Sequence, residues 1–158
     1  MIATRSGWIA GIALSLVVGG RLNAQEKEKE KKESGPLLVA FGASVGACLF
    51  EAHDKIAACE LASKDAAHIE QLQIKLSISV NILKVLIENL DRAREDKALA
   101  GDDQRFVERS IQVSKLVQEE AIALKKFLTS KDAKDNERFQ EVKKKADREL
   151  KILLGVKK

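Results

Sequence analysis

Apolar residues divide the chain into helical segments joined by short polar stretches. From Leu37 onward they recur at steps of three and four residues, the period of an amphipathic helix. The pattern predicts helices near residues 37–63, 66–97, 106–128 and 139–153. Short connections favour antiparallel neighbours. We therefore predict an all-α, up-and-down (antiparallel) four-helix bundle over residues 37–158.

The first helical segment opens with an uncharged run of 14 residues, from Leu37 to Phe50. A spanning helix needs about 20 apolar residues, so the length favours a buried core helix. Its predicted core face comprises Phe41, Val45, Cys48, Ala52, Ile56 and Cys59. Gly42 and Gly46 also form a small-xxx-small pattern, which predicts the close approach of another backbone.

The second segment carries two competing patterns. As a helix it has a broad apolar stripe of Ile69, Leu72, Leu76, Leu83, Leu86 and Leu90, widened by Ile78, Ile82 and Val85. From Leu72 to Ile82, however, apolar residues alternate strictly with polar ones, the period of a strand. Because no second strand exists to pair with it, we predict a central, heavily covered helix. One long bent helix with the first segment is the alternative.

The clearest break lies at residues 100–103, where glycine and aspartate end one helix and start the next. The third helix is predicted to bury Phe106, Ser110, Val113, Val117, Ala121, Leu124 and Leu128. A loop at 129–136, with Asp135 or Asn136 as helix cap, leads to the fourth. That helix is predicted to bury Phe139, Val142, Ala146, Leu150 and Leu153, and to end at Gly155.

The first 24 residues read as a signal peptide. Arg5 precedes an apolar run from Trp8 to Val18, and Ala24 offers a cleavage point. The run is short for the alternative, an uncleaved membrane anchor. Residues 25–36 alternate Glu and Lys and predict a charged flexible linker. We therefore expect an exported protein, periplasmic or secreted, cleaved near Ala24.

The basic excess is concentrated in the last helix. The net charge of +4 would fall to +2 if Arg5 and Arg21 left with the leader. The predicted contact surface on that helix comprises Lys143, Lys144, Lys145, Arg148 and Lys151. Such a face can bind an anionic envelope surface or an acidic protein, or it can simply be solvated. Without a basic field over the whole domain, no nucleic-acid partner is expected.

The two thiols, Cys48 and Cys59, lie eleven residues apart on one predicted helix. That spacing separates them by ~16 Å along the axis, too far for a mutual disulfide. An intermolecular disulfide or a redox pair would use them functionally. The alternative is two small apolar side chains in the core.

His53, Asp65 and His68 are the candidate metal ligands. Asp65 and His68 have the spacing of one ligand pair in di-iron bundles, but such a site needs that pair twice and two further carboxylates. Solvated or capping histidines are the alternative.

Catalytic motifs are absent from the sequence. It has no Cys-x-x-Cys-His, no glycine-rich phosphate loop after a strand, and no serine at a strand-to-helix turn. We therefore expect a non-enzymatic scaffold, adaptor or chaperone-like protein without a cofactor. It would act through protein or envelope-surface contacts, with self-association as an option. The alternative is a bundle that binds a metal ion or small apolar ligand between its helices.

Three polar residues interrupt the apolar surface of the second segment: Ser77, Ser79 and Asn81. They predict either a polar seam for a partner or a solvated turn, in which Asn81 could also fix helix register.

Overall fold

The computed structural model describes residues 24–95, 99 and 101–156, and their side chains from residue 39 onward except at position 66. It divides into two units, Met1–Gly35 and Pro36–Lys158. In the first unit the described residues are helical from Ala24. The predicted leader and its apolar run lie outside the described residues.

The described residues form four α-helices and contain no strand, which confirms the all-α prediction. The elements are α1 (Ala24–Ala62), a short 3-10 turn (Ala66–His68), α2 (Ile69–Arg94), α3 (Asp102–Ser130) and α4 (Ala133–Leu153). None of these helices has the length and apolar content needed to cross a membrane.

Helices α1 and α2 are separate, so the alternative of one long bent helix is wrong. The Ser63 amide donates to the Cys59 and Glu60 carbonyls and ends α1. Asp65 Oδ1 then accepts from the Ala67 amide at 3.0 Å. Such a local carboxylate–backbone bond stabilises a turn at the expense of a continuing helix.

The turn between α3 and α4 is shorter than the predicted loop. Helix α3 ends at Ser130, and Lys131 takes the left-handed conformation at φ 57°. Asp132 is the cap, because its side chain accepts from the Lys134 amide at 2.8 Å. The prediction of Asp135 or Asn136 as cap was therefore wrong. Asp135 instead accepts from the Ser130 hydroxyl.

The C-terminal end of α4 matches its prediction. Gly155 adopts a positive φ of 67°, which glycine reaches without steric cost. The Val156 amide reaches back to the Lys151 carbonyl at 3.0 Å and satisfies one of the last free carbonyls.

Helix α3, and not α2, is the central helix. It packs against both α2 and α4, and Glu120 in its middle contacts His53 of α1. Its buried residues are Val107, Ser110, Ile111, Val113, Ser114, Val117, Glu120, Ala121, Ala123, Leu124 and Leu128. Helices α2 and α4, which pack against it, each bury a narrower stripe of four residues.

Of the six residues in the predicted stripe, helix α2 buries Leu72, Leu76, Leu83 and Leu90. The other two, Ile69 and Leu86, are partly buried against the same core. The prediction that three further residues widen this stripe was wrong, since Ile78, Ile82 and Val85 are 53%, 47% and 55% exposed. Two residues turn an α-helix by about 200°, so strand-like alternation places apolar side chains on opposite helix faces. The alternation is therefore the signature of a helix with two apolar faces.

The small-residue face of α1 is covered by this chain's own side chains. A Cβ at Gly42 would lie 3.4 Å from the Phe106 ring, and one at Gly46 would lie 2.8 Å from Leu154 Cδ2. The close approach predicted from the small-xxx-small pattern is thus made by side chains of the same chain.

Candidate functional site

A polar pair lies in the core between α1 and α3. His53 Nδ1 is 2.8 Å from Glu120 Oε2. Glu120 is fully buried, and the His53 side chain is 14% exposed. Both occupy apolar stripes: His53 follows Leu49 by one turn, and Glu120 precedes Leu124 by one turn. The regular helix periodicity therefore turns both side chains inward.

The second imidazole nitrogen faces another helix. His53 Nε2 lies 3.9 Å from Asp147 Oδ1 of α4. Each ring nitrogen thus has a carboxylate before it, one on α3 and one on α4. An imidazolium donates from both nitrogens, whereas neutral imidazole donates from only one. Protonated His53 can therefore join three helices, and neutral His53 cannot.

A second polar group lies one to two helical turns from His53, where Glu60 of α1 contacts α4. Gln140 Nε2 donates to Glu60 Oε1 at 2.7 Å, and the Lys143 ammonium donates to Glu60 Oε2. The charge of Lys143 also acts on His53 and Glu120. The two groups together form the buried polar cluster: His53, Glu60, Glu120, Gln140, Lys143 and Asp147.

The environment shifts three carboxyl and imidazole groups of the cluster. The hydrogen bond that His53 makes to Glu120 raises the pKa of His53, against the opposing effect of burial. Burial raises the pKa of Glu120, and the interaction with His53 opposes that rise. At Glu60 burial acts upward, but the hydrogen bonds from Lys143 and Gln140 prevail and lower the pKa.

Glu120 Oε1 and the Ser110 hydroxyl are buried without a hydrogen-bond partner among the described residues. A buried carboxylate oxygen without a donor raises the energy of the ionised form. Within the same described part of the chain, no group of three or more His, Cys, Asp or Glu side chains is arranged to hold a metal ion. The chemistry that the pair offers is the uptake and release of a proton.

The predicted metal ligands are not brought together. His53 faces α3 and α4, as above. His68 is exposed on the 3-10 turn, where its Nε2 lies 3.7 Å from Asp65 Oδ2. The Asp65–His68 spacing therefore produces a surface ion pair with no contact to His53.

Cys48 is half-buried and Cys59 is buried, and both thiols are free. Burial is the main cause that raises the pKa of each thiol. A raised pKa keeps a thiol protonated, the form that is a poor nucleophile. Both cysteines therefore fit a role in core packing better than a role as reactive thiols. An intermolecular disulfide stays a prediction.

The predicted basic surface of α4 is largely paired with acids of this chain. Lys143 contacts Glu60, Arg148 contacts Glu149, and Lys151 contacts Asp147. Lys144 and Lys145 are exposed and have no acidic partner within the described residues. Local pairing therefore leaves a weaker basic field than the sequence pattern suggests.

Comparison with known proteins identifies no relative. No family model, curated protein or solved structure matches this chain.

The outer face of α2 is the most continuous exposed apolar surface on a described helix. We call Ile74, Ile78, Asn81 and Val85 the outer stripe. Its three apolar members are 56%, 53% and 55% exposed. The four positions of the stripe, Asn81 included, recur at steps of four, three and four residues, the spacing of a coiled-coil seam. Large apolar residues in one row are more informative than single exposed ones.

An open groove borders this stripe on the side of α3. Ile74, Ile78 and Asn81 line it together with Glu70, Gln73, Ser77 and Lys125. Lys125 donates to the Ser77 hydroxyl at 2.8 Å across the groove. Ile122, 50% exposed and one turn before Lys125, lies on the same row of α3 and extends the apolar surface.

Two of these features carry a signal that sequence reasoning missed. Glu120 lies three residues after Val117 and four before Leu124, so a charge stood on the apolar stripe of α3. The outer stripe was visible as the second half of the alternation in α2. In both cases a residue of one polarity lies on a helix face where the helix period predicts the other polarity.

Proposed function

We propose that this is an exported, non-enzymatic helical protein that acts through protein contacts, as a scaffold, adaptor or chaperone-like protein. The observation that carries the proposal is the outer stripe of α2. A row of half-exposed Ile and Val side chains is unfavourable in water, and on a soluble surface it typically marks a site of protein contact.

The proposal includes the antiparallel, up-and-down order of the helices. Contacts between α2 and α3 support it, because Gln73 bonds Thr129 and Ser77 bonds Lys125. Contacts between α1 and α4 support it in the same way. These are Glu60 with Gln140 and Lys143, and His53 with Asp147. In both pairs residue numbers rise along one helix and fall along the other.

As the occupant of the outer stripe we propose a second copy of this chain, paired parallel through α2. In that pairing Glu70 of one copy faces Lys75 of the other, at the flanking positions where opposite charges set orientation. Both side chains are exposed. Glu88 and Arg92, the next positions along the stripe, would each face their own counterpart, so the apolar contact ends before them. The Glu70–Lys75 pair is therefore the charge complementarity that supports a parallel self-pair.

Asn81 would meet its own counterpart near the middle of this contact. A single polar residue within an apolar seam fixes register at some cost in affinity. The contact is one short helix pair, which belongs to the small and weak class of interfaces. We therefore expect a reversible dimer that dissociates on dilution.

Sedimentation equilibrium tests the contact with a dilution series from about 100 to 1 µM, the range suited to a weak interface. The unaltered protein should be dimeric at the upper end and monomeric at the lower end. Ile78→Lys should be monomeric throughout. Ile152→Lys is the matched control, because Ile152 is 49% exposed on α4, and it should still dimerise.

The parallel arrangement has its own test. Glu70→Lys should weaken the dimer, and the added Lys75→Glu should restore it. A monomeric unaltered protein at the highest concentration would overturn the second copy as partner. A photoreactive residue at position 78, used in the exported fraction of the host, would then decide between a different protein and a lipid surface.

A cross-link to a different protein would still support protein contact as the function. A cross-link to lipid alone would contradict it. Export is tested by the mass of the protein recovered outside the cytoplasm. A chain beginning near Gln25 supports cleavage near Ala24, whereas a chain beginning at Met1 contradicts it.

A further inference from the structure

The buried polar cluster has a property that the proposed protein contact does not use. His53 lies on α1, Glu120 on α3 and Asp147 on α4, and the imidazole stands between the two carboxylates. We propose that His53 is a proton-dependent lock that ties α1 to α3 and α4, and that loosens as the pH rises. The proposal is independent of the outer stripe on α2.

The geometry of the ring gives the lock its dependence on a proton. Nδ1 is bonded to Glu120, so in the neutral ring Nε2 presents a lone pair to Asp147 Oδ1 at 3.9 Å. A lone pair facing a carboxylate is repulsive. Protonation replaces it with an N–H that attracts Asp147 and supplies a positive charge for Glu120.

Glu120 makes the loss of that proton costly. Its carboxylate is fully buried, and its Oε1 has no donor among the described residues. Without the imidazolium, the nearest described cation is Lys143, which also has to serve Glu60. A buried carboxylate without a close cation destabilises the folded state.

The remaining charged groups around the ring do not reverse this direction. Asp147 on α4 favours a protonated His53, whereas Lys143 on α4 opposes it. Glu60 on α1 acts on Glu120 and favours the protonated form of that carboxyl group. The pKa values of His53 and of Glu120 are both raised, so the folded protein binds protons more tightly than the unfolded chain at both sites.

The sign of the pH dependence follows from this linkage. A raised pKa at His53 stabilises the fold fully below the ordinary value of 6.5, and the contribution disappears as the pH rises through the folded value. A raised pKa at Glu120 acts in the same direction from its ordinary 4.5 upward. Stability should therefore fall as the pH increases.

Denaturant unfolding of the whole protein at pH 6 and pH 8.5, values chosen on either side of histidine titration, provides the first test. We expect a lower denaturant midpoint at pH 8.5. Glu120→Gln keeps an acceptor for Nδ1 and removes the buried charge, so the difference between the two midpoints should shrink or vanish. His68→Gln is the matched control on the exposed histidine, and it should retain the full difference.

Proton NMR of the imidazole resonances provides a test that does not depend on a change in stability. His68→Gln assigns the remaining resonance to His53. We expect His53 to titrate above 6.5 in the folded protein and to move down in Glu120→Gln. A His53 that titrates at or below 6.5, or equal midpoints at both pH values, would overturn the lock.

Discussion

The buried polar cluster and the outer stripe of α2 are opposite departures from the usual distribution of residues. In the cluster, a histidine and a glutamate occupy positions inside the bundle where leucine or valine is normally found. On the outer stripe, isoleucine and valine occupy positions that normally carry lysine or glutamate.

Neither exception is explained by the stability of a single folded chain. A buried ionic pair is often no better than apolar residues of the same volume, and exposed apolar side chains gain nothing while they face water. Departures from local rules are expected where a protein uses a residue for something other than folding. The pH-dependent lock and the dimer contact are the uses that we propose.

The largest effect should come from removing one member of the buried pair. His53→Leu leaves the Glu120 carboxylate in the core without its cation. We expect a loss of about 3–5 kcal/mol in the free energy of unfolding at neutral pH. Denaturant unfolding measures it, and the double variant His53→Leu/Glu120→Leu should recover most of the loss. If the double variant is as unstable as the single one, the pair is needed for packing and not for charge balance.

The next largest effect is a difference in stability cost between substitutions on the two apolar faces of α2. Leu83→Ala removes a fully buried side chain and should cost about 2–5 kcal/mol. Ile82→Ala removes a neighbouring side chain that is 47% exposed, and it should cost about 1 kcal/mol or less. Both are measured at low protein concentration, where the monomer prevails. Equal costs would mean that the outer face is covered within a single chain.

The sequence predicted the helices and most of the core because one period governs both. Leu72, Leu76, Val117 and Phe139 lie on stripes with the helix period, and each is buried. The prediction failed at Ile78, where a helix with two apolar faces offers no local rule for deciding which face is covered. Only the packing of α3 against the leucine side decides it.

The candidate sites depend on contacts between residues far apart in the sequence. His53 was recognised, but its partner Glu120 lies 67 positions later and was not connected to it. Asp65 was assigned to His68 correctly as a neighbour, because both lie within one turn. Lys143 was assigned to solvent or a partner, although Glu60 of α1 binds it. Sequence spacing predicts contacts within a helix, but it does not predict contacts between helices.

A smaller effect tests how far the cluster extends beyond the pair. Lys143→Glu places a like charge beside Glu60 and removes a cation near Glu120, so it should cost about 1–2 kcal/mol, more than a typical surface ion pair. Lys145→Glu, on the exposed part of the same helix, should change the unfolding free energy by less than about 0.5 kcal/mol. Equal effects would place Lys143 among ordinary solvated lysines.

The smallest effect supplies a reference for both regions. Asp132 caps α4 through the Lys134 amide, away from the cluster and the outer stripe, and Asp132→Ala should cost about 1 kcal/mol. This loss should be the same at pH 6 and pH 8.5 and at every protein concentration. The pH difference should instead disappear with Glu120→Gln, and the concentration dependence with Ile78→Lys. If Asp132→Ala alters either dependence, then the two regions are coupled through the whole bundle and the dependences do not belong to separate sites.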